Sequence, residues 1–427
     1  MSQRLFNRSF TFLILGQISS LMGNYTLKFA LSMYVLEQTG SASVFAGLLA
    51  ASMVPTILLS PLGGILADRA NRRNIMVALD ELSGLAVGIA SFFMSPGRDI
   101  AAVGVLLIVL SVLAAFESPT VQACVPQMLS GDNILKGNAA VSQVSAVSSL
   151  ITPFLGSLVY TAAGIKPVFY GAAVCFFLTA FLECFIRVDY RKMEDKMRIG
   201  TIIREDLAVS IKFLRWQQPG ILKLLLLAAL VSLFVAGTVV VGFPYLVRTV
   251  LGLSASLYGA AESAMGVAAI AGSLAVALLA GRLQIRFLTA VFVGFGLCLL
   301  PCGLIFLLPA GNMTRYAVLL AMFCICQLGC SFFSTFAVSI IQKRTPEQLM
   351  GKIMSYVFTL SMCAQPLGQL IYGALFDRFS DQVYWVLIPS GLIVCAVGLC
   401  SAGFFGRLQR EEELLSRSSD PQECSQE

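Results

Sequence analysis

The chain has 427 residues, 57% of them hydrophobic and 12% charged, with a formal net charge of +6 and a mean hydropathy of +0.84. A water-soluble protein with so few charges would expose apolar surface broad enough to aggregate, so the composition points to lipid as the solvent. Histidine is absent and the 12 cysteines form no CxxC pair, which leaves no imidazole for acid–base or metal chemistry and no disulfide framework.

Arg4 and Arg8 precede an apolar run from Phe10 to Leu36. That run is too long for a signal-peptide core and has no small-residue cleavage site, so it reads as an uncleaved first span. A bilayer core of ~30 Å takes ~20 apolar residues per helix. Runs of that kind predict spans over 10–36, 44–67, 75–94, 100–123, 138–161 and 167–186. A second set follows over 219–246, 255–280, 287–308, 315–341, 352–376 and 383–405. The expected fold class is an all-α polytopic membrane protein of 12 transmembrane helices. It comprises a six-helix bundle over 1–186, a cytoplasmic linker over 187–218, a second bundle over 219–406 and a charged, Ser-rich cytoplasmic tail over 407–427. Within the linker, Ile203, Leu207, Ile211 and Leu214 share one helical face, away from Arg204, Lys212 and Arg215, as in a helix lying in the membrane surface.

Charge placement sets the orientation. With the N terminus inside, 23 of the 29 Lys and Arg residues fall on cytoplasmic segments. Five (Arg98, Lys166, Arg248, Arg315 and Arg378) fall outside, and Lys28 lies within the first span. This asymmetry predicts a multi-pass plasma-membrane protein with both termini cytoplasmic. It accounts for the basic balance without a nucleic-acid partner.

The halves look related. Gly131-Asp-Asn-Ile-Leu lines up with Pro346-Glu-Gln-Leu-Met at an offset of 215, and the Pro153–Gly156 segment with Pro366–Gly368 at an offset of 213. Repeated halves around a midplane site are a transporter design.

Between the second and third spans runs Gly64-Ile-Leu-Ala-Asp68-Arg69-Ala-Asn71-Arg72-Arg73. Gly64 would permit close helix contact, Asp68 would accept from N–H groups at another helix end, and Arg72 and Arg73 would hold the cytoplasmic side. This segment resembles the signature loop of the major facilitator superfamily, with Asn71 where the family usually has Gly. Asn is the residue next most tolerant of a left-handed turn. The equivalent loop of the second half, with Gly281, Arg282 and Arg286, has lost the acid, and Asp377-Arg378 reads as a decoy on the outer side. Within the superfamily the chain is similar to the drug-exporting group that includes macrolide efflux pumps and the enterobactin exporter. Gly16-Gln17, Glu37-Gln-Thr-Gly-Ser-Ala42, Asn74-Ile-Met with Asp80, and Thr345 to Lys352 carry that resemblance. It implies proton-coupled export of an amphipathic small molecule. The group's fifth-span antiporter signature is here Thr152-Pro153-Phe-Leu-Gly156-Ser157; Pro153 should kink the span, as should Pro366 its own.

No GxxxxGK[ST] loop is present, so no nucleotide and no cofactor is expected, and an ion gradient, with H+ the expected ion, would drive transport. Ionisable groups inside a span are costly enough to count as functional candidates. Lys28, Glu117 and Glu262 are the three, and the resemblance implies that the first and fourth spans line the central cavity. Glu117 is then the leading coupling acid with Lys28 as charge partner. The plainer readings are that Lys28 snorkels to the interface, Glu262 is a solvated rim residue and Glu117 a structural acid. Asp80 and Glu81 are expected to pair with loop arginines, and Glu183 to be interfacial. Gln17, Asn24 and Gln327 would line an otherwise apolar cavity for a small amphipathic substrate. The expected state is a monomer in the bilayer. A lipid or lysolipid flippase of the same fold is the alternative, and a scaffold or sensor is further off. An intramembrane enzyme lacks its Ser/His or paired-aspartate constellation.

Overall fold

A computed structural model describes residues 5–94, 99–187, 219–279, 283–345 and 347–418. Among these residues the chain forms twelve long helical segments and no strand. They are α1 (Arg8–Thr39), α2 (Ala42–Arg69), α3 (Arg72–Phe92), α4 (Asp99–Met128), α5 (Asp132–Ala163) and α6 (Ile165–Glu183). The second six open with α7, which begins as Pro219–Val235 and continues through wide π-helical turns, Ala236–Gly242 and Leu246–Val250, around a short α-helical stretch Phe243–Tyr245. Then follow α8 (Ala255–Leu279), α9 (Phe287–Leu304), α10 (Asn312–Arg344), α11 (Glu347–Arg378) and α12 (Tyr384–Ser418). The amphipathic linker helix, Arg98, Gly281, Arg282 and the last residues of the tail lie outside the described residues.

Ten of these helices are long and apolar enough to cross a bilayer; α1 and α11 are not in that set. On α1 the reason is visible: Gln17, Asn24 and Lys28 interrupt its apolar run. At 1.5 Å per residue the 32 residues of α5 extend ~48 Å, so its ends stand clear of a ~30 Å hydrocarbon core. The helix starts carry ordinary caps. Asn7 accepts from Phe10 N at 2.9 Å, and Ser41 from Val44 N at 3.2 Å. Asn71 corrects the sequence expectation: its backbone is extended (φ −69°, ψ 108°), and it serves α3 as N-cap rather than supplying a left-handed turn.

The structure divides into two compact units. One takes Met1–Ile199 together with Val239–Ser263 and Met362–Asp377; the other takes Gly200–Thr238, Ala264–Ser361 and Arg378–Glu427. In the first unit α1 packs on α5 and α6, α2 on α4, and α3 on α4 and α6. The pairing of α3 with α6 recurs in the second unit as α9 with α12. There the core is aromatic, with the Phe292 and Phe333 rings 5.0 Å apart edge to face.

At the end of the first unit that carries the N terminus, polar contacts tie the helix ends together. Asn7 Nδ2 donates to Met128 O at 2.8 Å. Arg72 donates to Ala67 O and Ala123 O, both at 2.7 Å, and Arg73 to Cys184 O at 2.5 Å. Ala67 lies in the last turn of α2 and Cys184 at the C-cap of α6, where a cation also meets the negative end of the helix dipole, while Ala123 lies more than a turn before the end of α4. At the opposite end Glu37 bonds both Arg248 and Tyr160. Asp377, expected to be idle, accepts from Ser41 Oγ at 2.6 Å, Ala42 N at 2.6 Å and Ser43 N at 2.9 Å, and so caps the start of α2.

Candidate functional site

The site lies within the first unit. Gln17, Leu21, Asn24, Tyr25 and Lys28 recur at three- and four-residue spacing on α1, so they share one face of that helix. With Glu117, Ser118 and Gln122 of α4 and Asn138, Ser142 and Ser145 of α5 they enclose a cavity of about 740 Å³. That is room for a drug-sized molecule. A second cavity, of about 180 Å³, shares Tyr25 and Lys28 with the first and adds Ser149, Thr152 and Pro153 of α5 and Tyr258 and Glu262 of α8. Lys28 therefore stands on the wall of both cavities, with Glu117 in one and Glu262 in the other. Among the described residues it forms no ion pair with either. Gln17 Nε2, Asn24 Oδ1 and Glu262 Oε2 are buried without a hydrogen-bond partner. Buried polar atoms left open in this way are available to water or ligand.

Of the candidates read from the sequence, the fold gathers Gln17, Asn24, Lys28 and Glu117 on one cavity and Lys28 with Glu262 on the next. Gln327 belongs to the other unit, on α10, where its Oε1 is buried and unpaired. Lys28 faces the cavities, and Glu262 lies on a cavity wall with Tyr258, one helical turn before it. Asp80 and Glu183 are reassigned. Asp80 is 1% exposed and Glu183 fully buried, so neither is an interfacial group paired with loop arginines. Ser20 Oγ donates to Asp80 Oδ1 at 3.0 Å and reaches Glu117 Oε1 at 3.4 Å.

The antiporter-like segment of α5 faces two helices. Gly156 abuts Thr26 and Phe29 of α1. On the neighbouring face, Ser157 and the Pro153 carbonyl meet Gly259 of α8, which any side chain would push away. Ser263 Oγ donates to Leu150 O at 2.8 Å beside this contact. In the loop motif the close helix contact expected of Gly64 is made by Gly63, against Ala115 and Phe116 of α4, while Gly64 faces open space. One residue turns a helix by about 100°, which suffices to exchange the two. Arg69 is exposed, and the Asp68 side chain lies outside the described residues. Pro366 sits in the interior of α11.

Sequence reasoning missed the α5 wall. Asn138, Ser142, Ser145, Ser149 and Thr152 fall at i, i+4, i+7, i+11 and i+14, a polar stripe at helical period that was there to be read.

Comparison with known proteins follows the same lines. The family model of the Major Facilitator Superfamily matches residues 13–369. Macrolide efflux protein A of Streptococcus pyogenes is 25% identical over 392 residues, covering 90% of this chain and 93% of that protein. An enterobactin exporter of Salmonella choleraesuis is 23% identical over 350 residues, covering 82% and 80%. Among solved structures, a bacterial homologue of the iron transporter ferroportin in an inward-facing state superposes with a TM-score of 0.72 at 16% identity, covering 92% of this chain and 98% of that one. A bacterial homologue of the human lysosomal transporter Spinster gives 0.71 at 14%, covering 94% and 97%. At these identities the solved structures speak to the fold alone.

Proposed function

The chain belongs to the Major Facilitator Superfamily, and from that premise we propose that it is a proton-driven exporter of an amphipathic small molecule of macrolide-like or siderophore-like character. It is a multi-pass membrane transporter rather than an enzyme. The observation that carries the finer reading is the pair of adjoining cavities in which one cation, Lys28, stands between two carboxyl groups, Glu117 and Glu262. An ionised side chain at the centre of a span costs about 2.5–3.5 kcal/mol, so an acid kept there is a functional candidate, and a carboxyl that exchanges a proton as substrate comes and goes is one such function. Similarity to a macrolide efflux protein and an enterobactin exporter over most of each chain supports export as the direction.

In this reading Glu117 takes up a proton while the cavity faces outward and releases it while the cavity faces the cytoplasm. Lys28 favours the ionised acid and so helps release the proton, and substrate and proton compete for the same wall. The polar α5 stripe and Gln17 and Asn24 meet the polar groups of the substrate, and the apolar remainder of the wall meets its hydrocarbon. Pro153, Gly156 and Pro366 serve as the flexible points of an alternating-access cycle. Gly64, Asp68, Arg69, Arg72 and Arg73 serve as the cytoplasmic gate, with both termini in the cytoplasm and the chain a monomer in the plasma membrane.

The test uses macrolide-sensitive bacterial cells expressing the protein and a radiolabelled macrolide. Lower steady-state accumulation that a protonophore abolishes is the expected result. Accumulation equal to that of empty-vector cells, at confirmed expression and across macrolides and catecholate siderophores, would overturn the substrate class.

A further inference from the structure

The three acids Asp80, Glu117 and Glu183 come from different helices, α3, α4 and α6, and meet behind the cavity wall. Ser20 of α1 bridges the first two, 3.0 Å from Asp80 Oδ1 and 3.4 Å from Glu117 Oε1. Glu183 neighbours Asp80 and packs against Gly16, one turn before Ser20 on α1. Glu183 is fully buried, and neither of its oxygens has a hydrogen-bond partner; Asp80 Oδ2 has none either. Three open acceptor atoms thus converge where no water-exposed surface reaches them. Acceptors cannot satisfy one another, and like charges in contact at low dielectric repel strongly. Among the described residues no group of acids, cysteines and histidines could hold a metal ion. A hydrogen atom on one carboxyl, donated to the other, removes both the repulsion and the missing bond.

We propose that Asp80 and Glu183 form an internal proton-binding site, connected through Ser20 to Glu117, that carries the coupling proton between the cavity and the end of the bundle where the N terminus lies. The transfer balances at each step. The Glu117 carboxyl gives its proton to Ser20 Oγ as the Ser20 hydroxyl hydrogen passes to Asp80, leaving Glu117 ionised, Asp80 protonated and the hydroxyl restored. Asp80 then passes its proton to Glu183 and is itself ionised again. Glu183 closes α6, next to Cys184, whose carbonyl holds Arg73 of the loop motif, so the last acceptor is one residue from the loop. The other titratable or charged groups facing these acids are Tyr25 and Lys28 on α1, near Glu117, and Cys124 and Cys184, near Glu183, with Arg72 beside Cys124. The coupling role rests on the proton-driven reading above; the binding of a proton by the pair does not.

The experiment is infrared difference spectroscopy on the full chain in lipid vesicles, between acidic and alkaline buffer, with no substrate and no gradient. Wild type should show protonated-carboxyl C=O bands that vanish on alkalinisation. Glu183→Gln should remove one band and Asp80→Asn shift or remove it, and Ser20→Ala should leave that band in place. Glu183→Asp keeps the acid in case the amide variants do not fold, and it should displace the band. Bands identical to wild type in Glu183→Gln and Asp80→Asn, or unmoved in Glu183→Asp, would overturn the site. Loss of the band on adding sodium at constant pH would overturn it in favour of a bound cation. If the bands behave as expected and macrolide moves no protons, the site stands, and its coupling role falls together with proton-driven export.

Discussion

Asp377 was legible in the sequence only as a misplaced copy of the loop motif, yet its carboxylate accepts three hydrogen bonds from the first residues of α2. It lies just past the eleventh apolar run. Burial raises its pKa, but the bonds from Ser41, Ser43 and Ala42 outweigh that and hold it below the ordinary carboxylate value. The sign follows from linkage. A folded-state value below the unfolded one adds stability that is fully present above the unfolded pKa of ~3.9 and is lost as pH falls through the lower folded value. Asp377→Asn should therefore cost ~1 kcal/mol at neutral pH, as loss of a helix cap does. Thermal melting in detergent should show that deficit at pH 7 and see it shrink toward zero in strong acid. A deficit independent of pH would mean that the charge is irrelevant to the cap.

Arg72 invites the same treatment. Its guanidinium spans two carbonyls, Ala67 O and Ala123 O, each at 2.7 Å, a geometry for which the ammonium of lysine is a poor substitute. Arg72→Ala should lose ~2–3 kcal/mol of stability by denaturant titration, since hydrogen bonds to a charged group are worth ~1.5–3 kcal/mol. Arg72→Lys should recover less than half of it. Full recovery by lysine would show that charge, not the fork, matters there.

At the scale of elements, the contact between α5 and α8 is set by the absence of a side chain at Gly259. Gly259→Ala should cost ~1–3 kcal/mol, the usual penalty of overpacking, and Gly171→Ala, where the space is open, should change little. Equal melting temperatures for both variants would contradict the packing described. Hydropathy and charge placement made the helices legible, because the bilayer imposes one long apolar run per crossing. The cavity-facing stripe of α5 was harder. Ser and Thr hide in a spanning helix by donating to the carbonyl one turn back, as Thr152 does to Ser148 O at 2.6 Å and Ser145 to Val141 O at 3.3 Å, so they leave no gap in the apolar run. Lys28, Glu117 and Glu262 stood out because a charge cannot be hidden that way. Asp80 and Glu183 carry charge too, but their places near the ends of their spans suggested the interface. Depth along the chain is not depth in the bundle, and only packing against α1 shows them to be enclosed. Gly63 and Gly64 differ by a helical rotation that motif spacing alone does not resolve.

In the whole molecule, cavity and carboxyl together couple substrate to proton movement in the proposed cycle. Inverted membrane vesicles carrying the protein, energised to be acidic inside and loaded with a pH-sensitive dye, read that coupling. Addition of a transported macrolide should alkalinise the interior. Glu117→Gln, at equal expression, should abolish the response while macrolide still exchanges down its own gradient. An unchanged response in Glu117→Gln would remove this carboxyl from the mechanism. Macrolide uptake into the vesicles with no movement of protons at all would mean that transport is not proton-coupled.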